Sequence, residues 1–194
     1  MRQALIIAAA ALAAAAFMIT SATVAAAPTV DVDEWAGGFC DLLDEWQGTT
    51  SHAHTLVLDV VDNGVSSTAK AKASRVKIVK ALDASTAKST SVSKAVKALG
   101  TPDITNGAKI SSTMSAAIAD AGAAFSDASD DAAKASTDPK KFRSTISRIA
   151  DHVDRDLENV GEGLSAVDQL DAGGELNAAL STASECAFLQ KDGS

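Results

Sequence analysis

The sequence is poor in the residues that build β-sheets. Among its 194 residues there is no tyrosine, and the aromatic content is only 4%. Proline occurs three times, at positions 28, 102 and 139, so the long stretches between these positions lack the residue that interrupts helices. Ala, Ser, Thr, Asp and Lys dominate those stretches. The composition therefore favours helix over sheet.

Cysteine is also scarce. The chain has two cysteines, Cys40 near its start and Cys186 near its end, and no Cys-x-x-Cys pair. An even pair of this kind in an oxidising compartment predicts one disulfide. Because the bond would close a loop of nearly the whole domain, we expect it to be structural. The missing Cys-x-x-Cys pair argues against a redox role.

The N-terminus has the three parts of a secretory signal peptide. Arg2 supplies a positive charge, an Ala-rich apolar run follows over residues 4–19, and small residues fill positions 20–27. We assign residues 1–27 to the signal peptide, with the cut expected after Ala25 or Ala26. Residues 28–194 are expected to form a single domain that is secreted or held at the cell wall. An uncleaved membrane anchor is the alternative, but alanine is weakly hydrophobic. No second apolar run of spanning length follows, so no transmembrane segment is expected after cleavage.

Charge is unevenly distributed along the mature chain. Its 16 basic and 25 acidic side chains give a net charge of −9, which disfavours nucleic-acid binding. Residues 28–64 hold eight acids and no Lys or Arg, whereas residues 66–100 hold eight basic residues and one acid. One interpretation is that two adjacent helices complement each other. The other is a basic face for anionic envelope polymers or lipid head groups, formed by Lys70, Arg75, Lys77, Lys80 and Lys88.

Apolar residues recur at helical spacing in four long segments. The inward stripes are Trp35, Phe39, Leu42/Leu43, Trp46, Ala53, Val57 and Val60/Val61 in the first, Val76, Val79, Leu82, Ala87, Val92, Val96 and Leu99 in the second, Ile110, Met114, Ile118, Phe125 and Ala132 in the third, and Phe142, Ile146, Ile149, Val153, Leu157, Val160, Leu164, Val167 and Leu170 in the fourth. A short fifth helix is expected over residues 175–189. Similar lengths and short turns predict an all-α, up-down four-helix bundle with a short C-terminal helix.

Local signals suggest where these helices begin and where they break. Asp31 or Asp33 should cap the first helix, Asp103 or Thr105 the third, and Asp138 before Pro139 the fourth. Residues 48–51 could interrupt the first helix, and the polar stretch 85–91 could kink the second. The clearest start signal in the chain is Thr137-Asp138-Pro139.

No catalytic or metal-binding constellation withstands inspection. His52 and His54 lie two positions apart, so on one helix they point in opposite directions and cannot share a metal. Only an unwound segment would let them converge, with His152 or a carboxylate completing a site. The carboxylate clusters are typical of solvated helix faces. We therefore expect no enzyme activity, no metal and no cofactor.

Five aromatic residues are the candidates for a ligand pocket: Trp35, Phe39, Trp46, Phe125 and Phe142. If they lined a common cavity, the bundle could carry an apolar or haem-like ligand between its helices. The alternative is that they fill the core, because each lies on an inward stripe. The core interpretation is the stronger one.

Several features together resemble small exported helical proteins of actinomycetes, a group without an assigned function. These features are the signal peptide, the opening with Trp35, Phe39-Cys40 and Trp46, the turn over residues 100–104, and the late Cys186. The resemblance implies a Gram-positive envelope or extracellular setting and transfers no catalytic residue. We expect a non-enzymatic protein that binds an envelope or extracellular partner, with the carrier as the alternative. The partner and the oligomeric state are not indicated by the sequence.

Overall fold

The computed structural model describes residues 28–188, apart from the side chains at positions 159, 160, 163 and 164. Four long helices dominate this part of the chain: α1 (Val32–Asn63), α2 (Thr68–Ala98), α3 (Gly107–Lys134) and α4 (Pro139–Leu170). A short helix α5 (Glu175–Thr182) and a 3₁₀ turn (Ser184–Cys186) follow. The predicted all-α helical bundle is confirmed. The expected signal peptide, residues 1–27, lies outside the described residues.

The long helices pack in a ring and alternate in direction. Each contacts the next one along the chain, and α1 closes the ring against α4. The start of α1 meets the end of α2, where the indole N–H of Trp35 donates to the carbonyl of Gly100. The end of α1 meets the start of α4, where the Arg143 guanidinium donates to the carbonyls of Val61 and Asp62. This is the order expected for an up-down bundle.

The two suspected interruptions do not occur. Helix α1 continues through Gly48, and α2 continues through the polar stretch 85–91. The hydroxyl of Thr50 donates to the carbonyl of Trp46, and that of Ser85 donates to the carbonyl of Ala81, one turn earlier in each case. Because these hydroxyl groups are satisfied inside the helix, they do not compete with it.

Helix starts agree with the sequence signals at two of three places. At the start of α1, the Asp31 carboxylate accepts a hydrogen bond from the backbone N–H of Asp33. At the start of α4, the Asp138 carboxylate accepts one from the backbone N–H of Lys141, and Pro139 lies in the first turn of the helix. The prediction for α3 is wrong, because its cap position is Asn106 and not Asp103 or Thr105. Asn106 has a left-handed backbone, and its side chain donates to the carbonyl of Leu170 instead of capping its own helix.

Two further details differ from the sequence prediction. Helix α5 ends at Thr182 and gives way to the 3₁₀ turn, so it is shorter than expected. A two-residue parallel pair, β1 (Thr29–Val30) and β2 (Thr101–Pro102), was not predicted. It depends on Gly100, since a Cβ there would clash with the carbonyl oxygen of Pro28. The pair ties the N-terminal segment to the α2–α3 connection.

The core consists of two clusters at opposite ends of the bundle. The disulfide cluster contains Trp35, Phe39, Cys40, Val92, Val96, Ile110, Met114, Ile118, Val167, Leu176 and Cys186. The phenylalanine cluster contains Val57, Val60, Ile78, Leu82, Phe125, Phe142, Ile146, Ile149 and Val153 together with buried alanines. Every buried side-chain nitrogen and oxygen in the described part of the chain has a hydrogen-bond partner. This is the pattern of a well-formed interior.

Helices α2 and α3 approach each other closely through small residues. Ser85, Ser89, Ser93, Ser115 and Ser129 are buried along this contact. A Cβ added to Gly122 would lie 2.9 Å from the Cβ of Ser89. The short side chains therefore set the distance between the two helices.

Candidate interaction surface

The disulfide fixes the C-terminal part of the chain to the start of the bundle. Cys40 in α1 is bonded to Cys186 in the 3₁₀ turn across a sequence separation of 146 residues. Both cysteines are buried in the disulfide cluster. The predicted pairing is confirmed. The bond holds α5 against α1 and leaves the described part of the chain without a free thiol.

Two of the candidate pocket residues lie beside this disulfide. The rings of Trp35 and Phe39 stack with their centroids 5.2 Å apart and an angle of 6° between their planes. Trp35 is fully buried, and its indole N–H donates to the carbonyl of Gly100 at 3.2 Å. Both rings are therefore fixed by packing, and Trp35 also by a hydrogen bond.

The other three candidate pocket residues lie further along the bundle. Phe125 and Phe142 are buried in the phenylalanine cluster. Trp46 is half-buried, packs against both clusters, and donates its indole N–H to the hydroxyl of Ser89 at 2.8 Å. The five aromatic side chains thus belong to two clusters and do not line a common cavity. A ligand between the helices would have to displace packed core side chains.

The three histidines are dispersed. His52 and His152 are exposed, and His54 is half-buried in α1 with its Nε2 3.3 Å from a carboxylate oxygen of Asp154 in α4. Because α1 is continuous, His52 and His54 point in different directions. Among residues 28–188, no group of three or more His, Cys, Asp or Glu side chains is placed to hold a metal ion.

The five basic residues predicted to form one face are spread over both edges and the outward side of α2. Lys70, Lys77 and Lys88 recur at intervals of two and three helical turns and so share the edge that faces α1. Lys88 pairs there with Glu45, with its Nζ 2.8 Å from Oε2. Arg75 lies on the edge facing α3 and donates to the carbonyl of Ala135 at 2.9 Å. Lys80 is exposed on the outward side.

Only a small part of the expected charge complementarity between α1 and α2 is realised. The hydrogen bond and the charge of Lys88 lower the pKa of Glu45 from its ordinary value of 4.5. Within the described residues, no other basic residue of α2 lies in an ion pair. The positive charges of Lys70, Lys72, Lys77 and Lys80 are therefore not neutralised by an ion pair within the described bundle.

An open groove lies next to these uncompensated charges, between α2 and the end of α3. It has a volume of about 370 Å³ and is mainly apolar. Its lining residues are Arg75, Val76, Val79, Lys80, Asp83 and Ala133. Val76 is 60% exposed, and it is the large hydrophobic residue that stands out as exposed in the described part of the chain.

Sequence reasoning missed this groove because it placed Val76 on the inward stripe of α2. That prediction is wrong, as is the one for Ala87, which is also exposed. The residues that face the core are Ile78, Leu82, Ser85, Ser89, Val92 and Val96, spaced alternately by four and three positions. This heptad-like spacing indicates the buried face of α2. It was missed because two of its positions are serines, which are not expected in a core.

Comparisons with protein-family models, with curated proteins and with solved structures found no match. No helix among residues 28–188 is long and apolar enough to cross a membrane.

Proposed function

We propose that this chain is an exported protein that acts by binding a partner at the cell envelope or outside the cell, without catalysing a reaction. The observation that carries the proposal is the positive charge without ion-pair partners in the first half of α2. Five basic residues lie between positions 70 and 80 of a chain whose mature net charge is −9, and none of them is in an ion pair among the described residues. Uncompensated charge of this kind attracts a partner of opposite sign.

The setting outside the cytoplasm is supported by two features. The disulfide between Cys40 and Cys186 is of a type that persists in oxidising compartments. The sequence before residue 28 has the composition of a signal peptide. A Gram-positive envelope, which the resemblance to exported actinomycete proteins implies, agrees with both features.

The proposal is tested by expressing the full chain in a Gram-positive host and following where it goes. We expect the denatured mass to match the oxidised chain cut near residues 25–27. We also expect a fraction bound to the envelope that a high-salt wash releases. A variant with Lys72, Lys77 and Lys80 changed to Glu should shift to the medium. Recovery in the cytoplasm would contradict the proposal, as would envelope binding that is unaffected both by high salt and by these three changes.

The same preparation separates the binding protein from the carrier. The carrier predicts an extra mass that is present in the native spectrum and lost on denaturation. A bare chain in both spectra is the result that our proposal predicts. A bound small molecule would instead show that the buried aromatic clusters open to admit a ligand.

A further inference from the structure

We propose that the groove between α2 and the end of α3 binds an acidic, amphipathic segment of a protein partner. In this arrangement an apolar side chain of the partner packs on Val76 and Val79, and carboxylates of the partner lie next to Lys72 and Lys80. The inference rests on the proposed function, because it names the site and the chemistry of the partner that the function requires.

The apolar part of the groove is the surface on which the partner's apolar side chain packs. Val76 exposes 60% of its surface in the first third of α2, and half-buried Val79 and exposed Ala133 line the same groove. A volume of about 370 Å³ is at the small end of the range of about 300–1,000 Å³ that ligand pockets occupy. Because the groove is open along one side, it suits side chains projecting from a partner helix more than an enclosed small molecule.

The charged part of the groove sets the sign of the partner. Lys72 and Lys80 are exposed one helical turn before and after Val76, so the two lysines flank Val76 along α2. The Arg75 guanidinium is held at the α3 side by its hydrogen bond to Ala135. Asp83 lies one turn beyond Val79 and accepts from the hydroxyl of Ser129. The partner's carboxylates are therefore expected near Lys72, Arg75 and Lys80, away from Asp83.

A short protein segment fits this surface better than a membrane or a long polyanion. A bilayer would need more exposed apolar surface than one valine provides. A uniformly charged polymer would have no apolar group to pack against the exposed side chain of Val76. The rest of the mature chain is strongly acidic and would repel an extended anionic surface, whereas a segment within about 8 Å of the lysines responds mainly to them.

The test uses the full mature chain with its disulfide intact and a synthetic helical peptide. The peptide has about 15 residues, with Leu along one helical face and Glu elsewhere. A second peptide has the same composition with Leu scattered around the helix. Binding is measured by fluorescence anisotropy at low and at physiological salt, and circular dichroism checks that each variant stays folded.

Three variants make the measurement specific. Changing Lys72→Glu together with Lys80→Glu should weaken binding of the first peptide by about tenfold or more. Val76→Thr keeps the shape but adds a hydroxyl, and should weaken binding by about threefold. Lys94→Glu with Lys97→Glu makes the same change in net charge at exposed positions further along α2, and should leave binding within about twofold.

Several results would overturn the inference. Equal losses in the Lys72/Lys80 and Lys94/Lys97 pairs would show a general charge effect without a site. Equal binding of the two peptides, or no binding of either, would remove the amphipathic segment as the occupant. Vesicles of anionic phospholipid that bind through Lys72 and Lys80 when the peptide does not would assign the surface to lipid. In these cases the proposed function would still stand, because the results that contradict it are recovery in the cytoplasm or envelope binding that responds neither to salt nor to the lysine changes.

Discussion

Lys88 Nζ lies 2.8 Å from Glu45 Oε2, and this ion pair joins the middle of α2 to the middle of α1. Among residues 28–188, it is the ion pair between the acidic first helix and the basic second helix. Both side chains are partly or largely exposed, so the pair adds specificity to the helix contact more than stability. Among residues 28–188, the other basic residues of α2 are not in an ion pair.

The Glu45–Lys88 pair predicts a pH dependence of stability. Because Lys88 lowers the pKa of Glu45 in the folded state, Glu45 stabilises the fold above its ordinary pKa of 4.5, and this contribution is lost as the pH falls through the lowered value. We expect Glu45→Gln to lower the unfolding temperature slightly at neutral pH and low salt. The difference from wild type should vanish well below pH 4.5. Asp44→Asn, at an exposed position outside any ion pair among the described residues, is the control.

The disulfide predicts a large loss of stability on its removal. In the chain-entropy model, a cross-link across 146 residues stabilises the fold by about 5 kcal/mol. Changing both Cys40 and Cys186 to Ser should lower the free energy of unfolding by up to this amount in urea titrations. Wild type measured in a thiol reductant should match the double variant. A reduced wild type as stable as the oxidised one would show that the bond does not stabilise the fold.

Two glycines in helices predict opposite effects of the same substitution. A Cβ at Gly122 would lie 2.9 Å from the Cβ of Ser89, whose hydroxyl is held by the indole of Trp46. Gly122→Ala should therefore destabilise the bundle by about 1–3 kcal/mol. Gly48 has no atom within 4 Å of an added Cβ, so Gly48→Ala should stabilise by up to about 1 kcal/mol. Thermal unfolding of both variants checks the sign, and a stabilising Gly122→Ala would refute the close α2–α3 contact.

The buried aromatic residues predict core behaviour. Phe142 is fully buried in the phenylalanine cluster, so Phe142→Ala should lower the free energy of unfolding by about 3–5 kcal/mol. Val76→Ala, at the exposed position of the groove, should change it by about 0.5 kcal/mol or less. Chemical denaturation of both variants gives the comparison. A Phe142→Ala variant with unchanged stability would indicate a loosely filled interior suited to a ligand.

Some features could be predicted from the sequence because they depend on local chemistry. Asp138 before Pro139 is a start signal that requires no knowledge of the neighbouring helices, and it begins α4 as expected. The pairing of Cys40 with Cys186 followed from there being no other cysteine in the chain. The stripe of α3 was correct because its large residues, Ile110, Ile118 and Phe125, lie on one face only.

Other features depended on packing between helices. In α2, Leu82 is preceded at helical spacing by Val79 and Val76 in steps of three and by Ile78 in a step of four, so periodicity alone does not select the buried residues. The buried side is the one that packs on α3: a Cβ at Gly122 would lie 2.9 Å from that of Ser89, and Ile78 and the serines of α2 are buried there. The left-handed cap at Asn106 likewise depends on a distant carbonyl, that of Leu170.

By itself, the sequence determined the class of fold, the helix starts that local capping specifies, and the disulfide. Each of these follows from composition, from neighbouring residues or from the lack of an alternative partner. The tertiary structure decided which face of α2 is buried, which acid Lys88 pairs with, and that Val76 lies in a groove beside uncompensated lysines. These depend on the distance between helices, which is set by side chains far apart in the chain.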